Sequence, residues 1–140
     1  MVQDKSIYGV MDIGGDDRGA YVLGRYVPSI KEENDYHMVF VANCYRPLTA
    51  TPEEAMEVMR EIEAACGLKF TTIVNNSNLG PETTAETVMD SLDYIQKLSQ
   101  LSGLPVFAHT AETAVAQNLT GIDNVFPLQL QEKYFDLPTI

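Results

Sequence analysis

Residues 37–67 decide the fold class. His37-Met38-Val39-Phe40-Val41-Ala42-Asn43 is a β-branched and aromatic run, nearly continuous in apolar side chains. Such a run is expected of a strand covered on both faces. After a short loop, Thr51-Pro52-Glu53-Glu54 opens a helix. Thr51 supplies the N-cap, Pro52 suits the first helical position, and Glu54 completes a capping box. Ala55, Met59, Ile62 and Cys66 then fall at helical spacing, and Gly67 is a natural stop. A buried strand leading into an amphipathic helix is the first half of a βαβ unit.

The same rhythm extends in both directions. Upstream, Ser6-Ile7-Tyr8-Gly9-Val10-Met11-Asp12-Ile13 reads as a strand ending in Gly14-Gly15-Asp16-Asp17. A helix is predicted over 18–30, with Pro28 near its end. Downstream, Phe70-Thr71-Thr72-Ile73-Val74-Asn75 is a third run, and its helix begins near Pro81-Glu82. Ala85, Val88, Met89, Leu92, Ile95 and Leu98 give that helix one apolar face, and Gly103 ends it. Pro105-Val106-Phe107-Ala108-His109 is a fourth run, followed by a short helix around 112–119. Asn124-Val125-Phe126-Pro127-Leu128 is a fifth, and 131–135 suits a last helical turn. Strands separated by helices imply right-handed crossovers and a mainly parallel sheet. The expectation is a single α/β domain over residues 1–140, a three-layer sandwich with a sheet of about five strands.

The bulk composition narrows the function classes. The chain has 140 residues, 45% of them apolar, with 9 basic against 20 acidic side chains and a net charge of -11. Such a surface repels phosphate backbones and anionic lipid, which argues against direct nucleic-acid or membrane binding. Cys44 and Cys66 stand in no CxxC context and form neither a disulfide framework nor a zinc pattern. No apolar run approaches the length of a membrane span, and Met-Val-Gln-Asp-Lys does not begin like a signal peptide. A cytoplasmic protein with reduced thiols is expected.

In an open parallel sheet, ligands bind beyond the carboxyl ends of the strands. Each run delivers polar residues there: Asp12 with Gly14, Gly15, Asp16 and Asp17; then Asn43, Cys44 and Arg46; then Asn75, Asn76, Ser77 and Asn78; then His109, Thr110 and Glu112. An acidic residue ending an apolar strand suits a Mg²⁺ ion held through water, and paired glycines let the backbone approach a phosphate oxygen. The same Gly-Gly-Asp-Asp equally serves as a tight turn with acids at a helix N-terminus. His109 reads first as a hydrogen-bonded loop residue and only second as an acid/base. Cys44 has no paired His, and Arg46 suits either an anion contact or packing by its stem.

Val10-Met11-Asp12-Ile13-Gly14-Gly15-Asp16-Asp17 resembles the Walker B and switch region of the ParA/MinD/CobQ-type ATPases, a deviant Walker A P-loop group. Thr72-Ile73-Val74-Asn75-Asn76 is similar to the strand whose last Asn binds adenine. Leu104-Pro105-Val106-Phe107-Ala108-His109-Thr110-Ala111-Glu112 is similar to the next strand and the loop beside the base. The resemblance covers about residues 5–130. It implies a P-loop-NTPase-like (Rossmann-like) fold and ATP with Mg as cofactors. It assigns the metal water to Asp12, the phosphate side to Gly14 and Gly15, and the base to Asn75 and Glu112.

The departure from the family is large. It begins with a Gly-rich P-loop carrying two lysines, and no such segment occurs here. Lys5, Lys31, Lys69, Lys97 and Lys133 all lie outside Gly-rich turns. Without that cradle the β- and γ-phosphates lose their main ligands. The chain therefore looks like the rear part of a larger nucleotide-binding domain, inactive as an ATPase by itself. The alternative is a non-enzymatic interaction or assembly domain on the same fold. With the P-loop half absent, the strand from Ser6 to Ile13 has an unpaired edge, and a homodimer is expected through strand pairing or exchange of an element; the alternative is a rearranged sheet in a monomer. An adaptor protein is a further partner class.

Overall fold

The computed structural model describes residues 9–13, 23–33 and 35–130. Helix α1 spans Val27–Glu33 and leads into strand β1, Val39–Ala42. A 3₁₀ turn at Pro47–Thr49 precedes helix α2, Pro52–Cys66. Strand β2 is Thr72–Asn75, followed by a second 3₁₀ turn at Gly80–Glu82. Helix α3, Ala85–Met89, and helix α4, Leu92–Ser102, come next. Strand β3 is Val106–Glu112, helix α5 is Thr113–Ala116 and strand β4 is Val125–Leu128. The four strands form one sheet in the order β1-β2-β3-β4, every pair parallel.

The local chemistry explains the best-formed helix. The Thr51 hydroxyl accepts the Glu54 N–H at 3.1 Å and donates to the Glu54 carboxylate at 3.0 Å. The cap is therefore present, but Glu54 takes the Thr51 hydroxyl proton in place of its backbone N–H. At the other end Gly67 sits at φ +82, a left-handed conformation open to glycine at little cost, and its N–H closes on the Glu63 carbonyl.

The order of the strands has a consequence for layering. Neighbours in sequence are neighbours in space, and crossovers of one hand then put every connecting helix on the same face. The packing agrees. Phe40, Ala42 and Ile73 of the sheet are buried with Ala55 and Met59 of α2 and with Tyr94, Ile95 and Leu98 of α4. Phe40 and Phe70 meet edge to face at 5.3 Å. Ala111 of β3 packs with Val88 of α3 and Leu119, against Val115, Ala116 and Val125. Leu23 and Val27 pack on Cys66 and Leu68, beside Ile62 and Met38. Burying a Leu or Ile such as Leu98 or Ile73 completely contributes roughly 1.5–3 kcal/mol. This helix-covered face is where the described chain gains its stability.

The opposite face has no described layer on it. Val41 is 59% exposed, Phe107 69% and Phe126 56%. Val41 pairs with Val74, Val74 with Ala108, and Thr110 with Phe126, so these residues share one side of the sheet. The register shifts at Ile73/Val74, opposite Val106 and Ala108, and makes Phe107 the extra residue of a β-bulge.

Several expectations are corrected. Among the described residues the sheet has four strands where five were expected, and two layers stand in place of three. Gly9–Ile13, the described part of the first run, is not a strand, and Val10 is 89% exposed. The segment opens on a glycine and carries the Asp12 carboxylate, both of which disfavour a strand. Residues 6–8, 14–22 and 131–135 of the expected elements lie outside the described residues. Pro28 falls in the first turn of α1, where its missing N–H costs nothing, and not near a helix end. The long third helix is broken at Asp90-Ser91, where the Ser91 hydroxyl donates to the Val88 carbonyl at 2.6 Å. The break turns Met89 outward, to the exposed side.

Candidate functional site

The carboxyl ends of β1, β2 and β3 do gather the polar residues that the sequence places there. They are bonded chiefly to one another. The Asn43 side-chain oxygen accepts the Tyr45 N–H at 2.9 Å and the Asn78 N–H at 3.3 Å, and its amide donates to the Asn78 carbonyl. The Cys44 N–H donates to the Ser77 hydroxyl at 3.0 Å. The Thr110 hydroxyl donates to the Asn76 side-chain oxygen at 2.6 Å. These bonds tie the loop after β1 to the loop after β2, and that loop to β3. Short polar side chains at strand ends satisfy the backbone groups that the ladder leaves unpaired.

Asn75 lies at the centre and is 1% exposed. Its side-chain oxygen accepts the Ser77 N–H at 3.2 Å. Its amide donates to the Ser91 hydroxyl at 2.9 Å and to Nδ1 of His109 at 3.0 Å. Accepting at Nδ1 leaves the imidazole proton on Nε2. Burial lowers the His109 pKa below its ordinary value, which keeps the ring neutral. His109 also lines an open cleft of about 310 Å³, with Leu92, Ile95, Val106, Ile122 and Asp123 along its walls.

The residues expected to hold a nucleotide fall on separate elements or outside the described residues. Asp12 is exposed and lies in a segment without regular structure. Gly14 and Gly15 lie outside the described residues. Asn75 points its amide into the helix-covered side and spends it on Ser91 and His109. Glu112 ends β3 and stands at the N-cap of α5, where its side chain makes no capping bond. The cleft beside His109 is lined by none of Asp12, Asn75 and Glu112. Among the described residues no three His, Cys, Asp or Glu side chains are grouped to hold a metal ion.

Ser77, expected at the end of the third strand, and Ser91, which motif reading did not single out, are both buried. Ser91 had a signal: a serine between Val88 and Leu92, inside an otherwise apolar helix face, asks for a polar partner. Cys44 and Cys66 are free thiols. No described helix is long and apolar enough to cross a membrane. Compared with protein-family models, characterised proteins and solved structures, the chain gives no significant match.

Proposed function

We propose that this chain is an assembly domain: a Rossmann-like half-unit that works by protein contact and carries no catalysis of its own. The observation behind this reading is the apolar sheet face bearing Val41, Val74, Phe107 and Phe126, on which no described element packs. All-parallel sheets are covered on both faces almost without exception. A contiguous apolar surface of this kind marks a contact site. The occupant is a partner polypeptide that supplies a helical layer with one apolar face. Its rim is basic, to complement a net charge of -11. The saturated Asn75 amide gives a nucleotide no purchase there, so the nucleotide-binding reading receives no support from the strand tips.

The test uses the full chain and the dye 1-anilinonaphthalene-8-sulfonate. The parent protein should enhance its fluorescence while showing a cooperative thermal transition. The double variant V41K/F107K should lose most of that enhancement and keep its Tm. No enhancement in the parent, or equal enhancement in the variant, overturns the reading. Phosphate release from ATP·Mg above background would also overturn it.

A further inference from the structure

The two outer edges of the sheet differ. The Met38 and Ala42 carbonyls accept from β2, through Thr71 and Asn76. Backbone groups alternate in direction along a strand, so Phe40 also faces β2, and the N–H and C=O of Val39 and Val41 face outward. No described residue bonds them. At the far edge, the Asn124 carbonyl accepts the His109 N–H at 2.9 Å, so Phe126 faces β3 while Val125 and Pro127 face outward. Pro127 has no N–H to offer, and it stands where an incoming strand would need one. One edge therefore lacks a donor for strand addition, and the other, among the described residues, carries two unpaired donor–acceptor pairs.

Resting on the assembly reading above, we infer that the partner engages β1 by strand addition: beside the helical layer it supplies, an extended segment pairs with Val39 and Val41 and its alternate apolar side chains continue the apolar face outward from β1. The occupant is a segment of a different protein with cationic flanks. Glu32 and Asp35 are exposed just ahead of β1, and a second copy of this chain would bring another net charge of -11 to the contact. Such an addition makes main-chain bonds for affinity and uses side-chain alternation for register.

The probe is a synthetic lysine-flanked octapeptide of alternating valine and threonine, titrated into the ¹⁵N-labelled full chain. The amides of Val39 and Val41 should shift and become protected from exchange, while those of Val125 and Leu128 stay unchanged. Val41→Pro should weaken binding about tenfold, the worth of one well-made bond. A peptide N-methylated at alternate residues, which leaves the protein intact, should bind no more tightly than a scrambled peptide. Shifts at β4, no shifts at all, or equal binding by the N-methylated peptide overturn the inference. Dye binding to the bare face without peptide pairing leaves the assembly reading standing and removes this edge from it.

Discussion

Asn75 of β2 donates its side-chain amide to Nδ1 of His109 on β3 across 3.0 Å, and the same amide group donates to Ser91 of the helix layer. One buried carboxamide thus joins two strands and a helix break. A buried network of this kind is stabilising only while every member is satisfied. Asn75→Ala removes three hydrogen bonds and leaves the Ser77 N–H and the Ser91 hydroxyl with one partner fewer each. The expected loss is about 2–4 kcal/mol. Urea unfolding followed by circular dichroism measures it, and a loss below about 1 kcal/mol would show that the network is dispensable.

The His109 contact also makes stability depend on pH. Burial holds its folded-state pKa below the ordinary 6.5. A protonated ring would in addition turn an N–H toward the Asn75 amide, donor against donor. The contribution is therefore fully present above the unfolded pKa and is lost as pH falls from about 6.5 through the folded pKa. The Tm of the parent should fall over that window, and that of His109→Gln should fall less. Carboxylate titration acts on both proteins alike, so the difference between the two curves isolates the histidine. An NMR titration that places His109 above its ordinary pKa would contradict the argument.

Much of this fold can be read from the alternation of runs, and the reading fails where the two faces of a strand must be told apart. Thr51 and Gly67 bracket α2 as expected, because caps are local chemistry. Val39, Phe40 and Val41 are apolar on both sides, which in a parallel sheet signals cover on both faces. Here only Phe40 is buried among the three. Their composition is correct for a covered strand; the covering layer is not among the described residues. The strand-end asparagines show the complementary difficulty. A polar residue at a strand tip looks the same in sequence whether it faces a ligand or, like Asn75, turns under the helices to hold Ser91. The break at Asp90-Ser91 was hidden because Val88 and Leu92 continue the helical period across it.

Tyr94 offers a test of the helix-covered core. Its hydroxyl is buried and makes no hydrogen bond to a described residue. The neighbouring Thr49 hydroxyl instead donates to the Asn43 carbonyl at 2.7 Å. Burial pushes the phenol pKa well above its ordinary value. An unpaired buried hydroxyl costs folding free energy, so Tyr94→Phe should be neutral or stabilising by up to roughly 1 kcal/mol. A fall in Tm on this substitution would show that the hydroxyl has a partner in solution.

The last prediction concerns the closed edge. Pro127 faces outward from β4, and Phe126 beside it is exposed on the bare face. Pro127→Val restores an outward N–H without disturbing the ladder to β3, which runs through Asn124 and Phe126. It also adds a β-branched side chain of high strand propensity. The variant should keep the parent's Tm to within a few degrees, because no inward bond changes. What should change is association. An apolar edge strand with its donors restored is a template for pairing, and the exposed Phe126 gives the pairing an apolar surface to bury. Light scattering across a concentration series should rise more steeply for Pro127→Val than for the parent. Adding Phe126→Lys, which puts a charge in place of the exposed apolar side chain, should bring it back down. Equal scattering by the parent and Pro127→Val would mean that the proline does not guard the edge, and that the difference between the two sides of the sheet lies elsewhere.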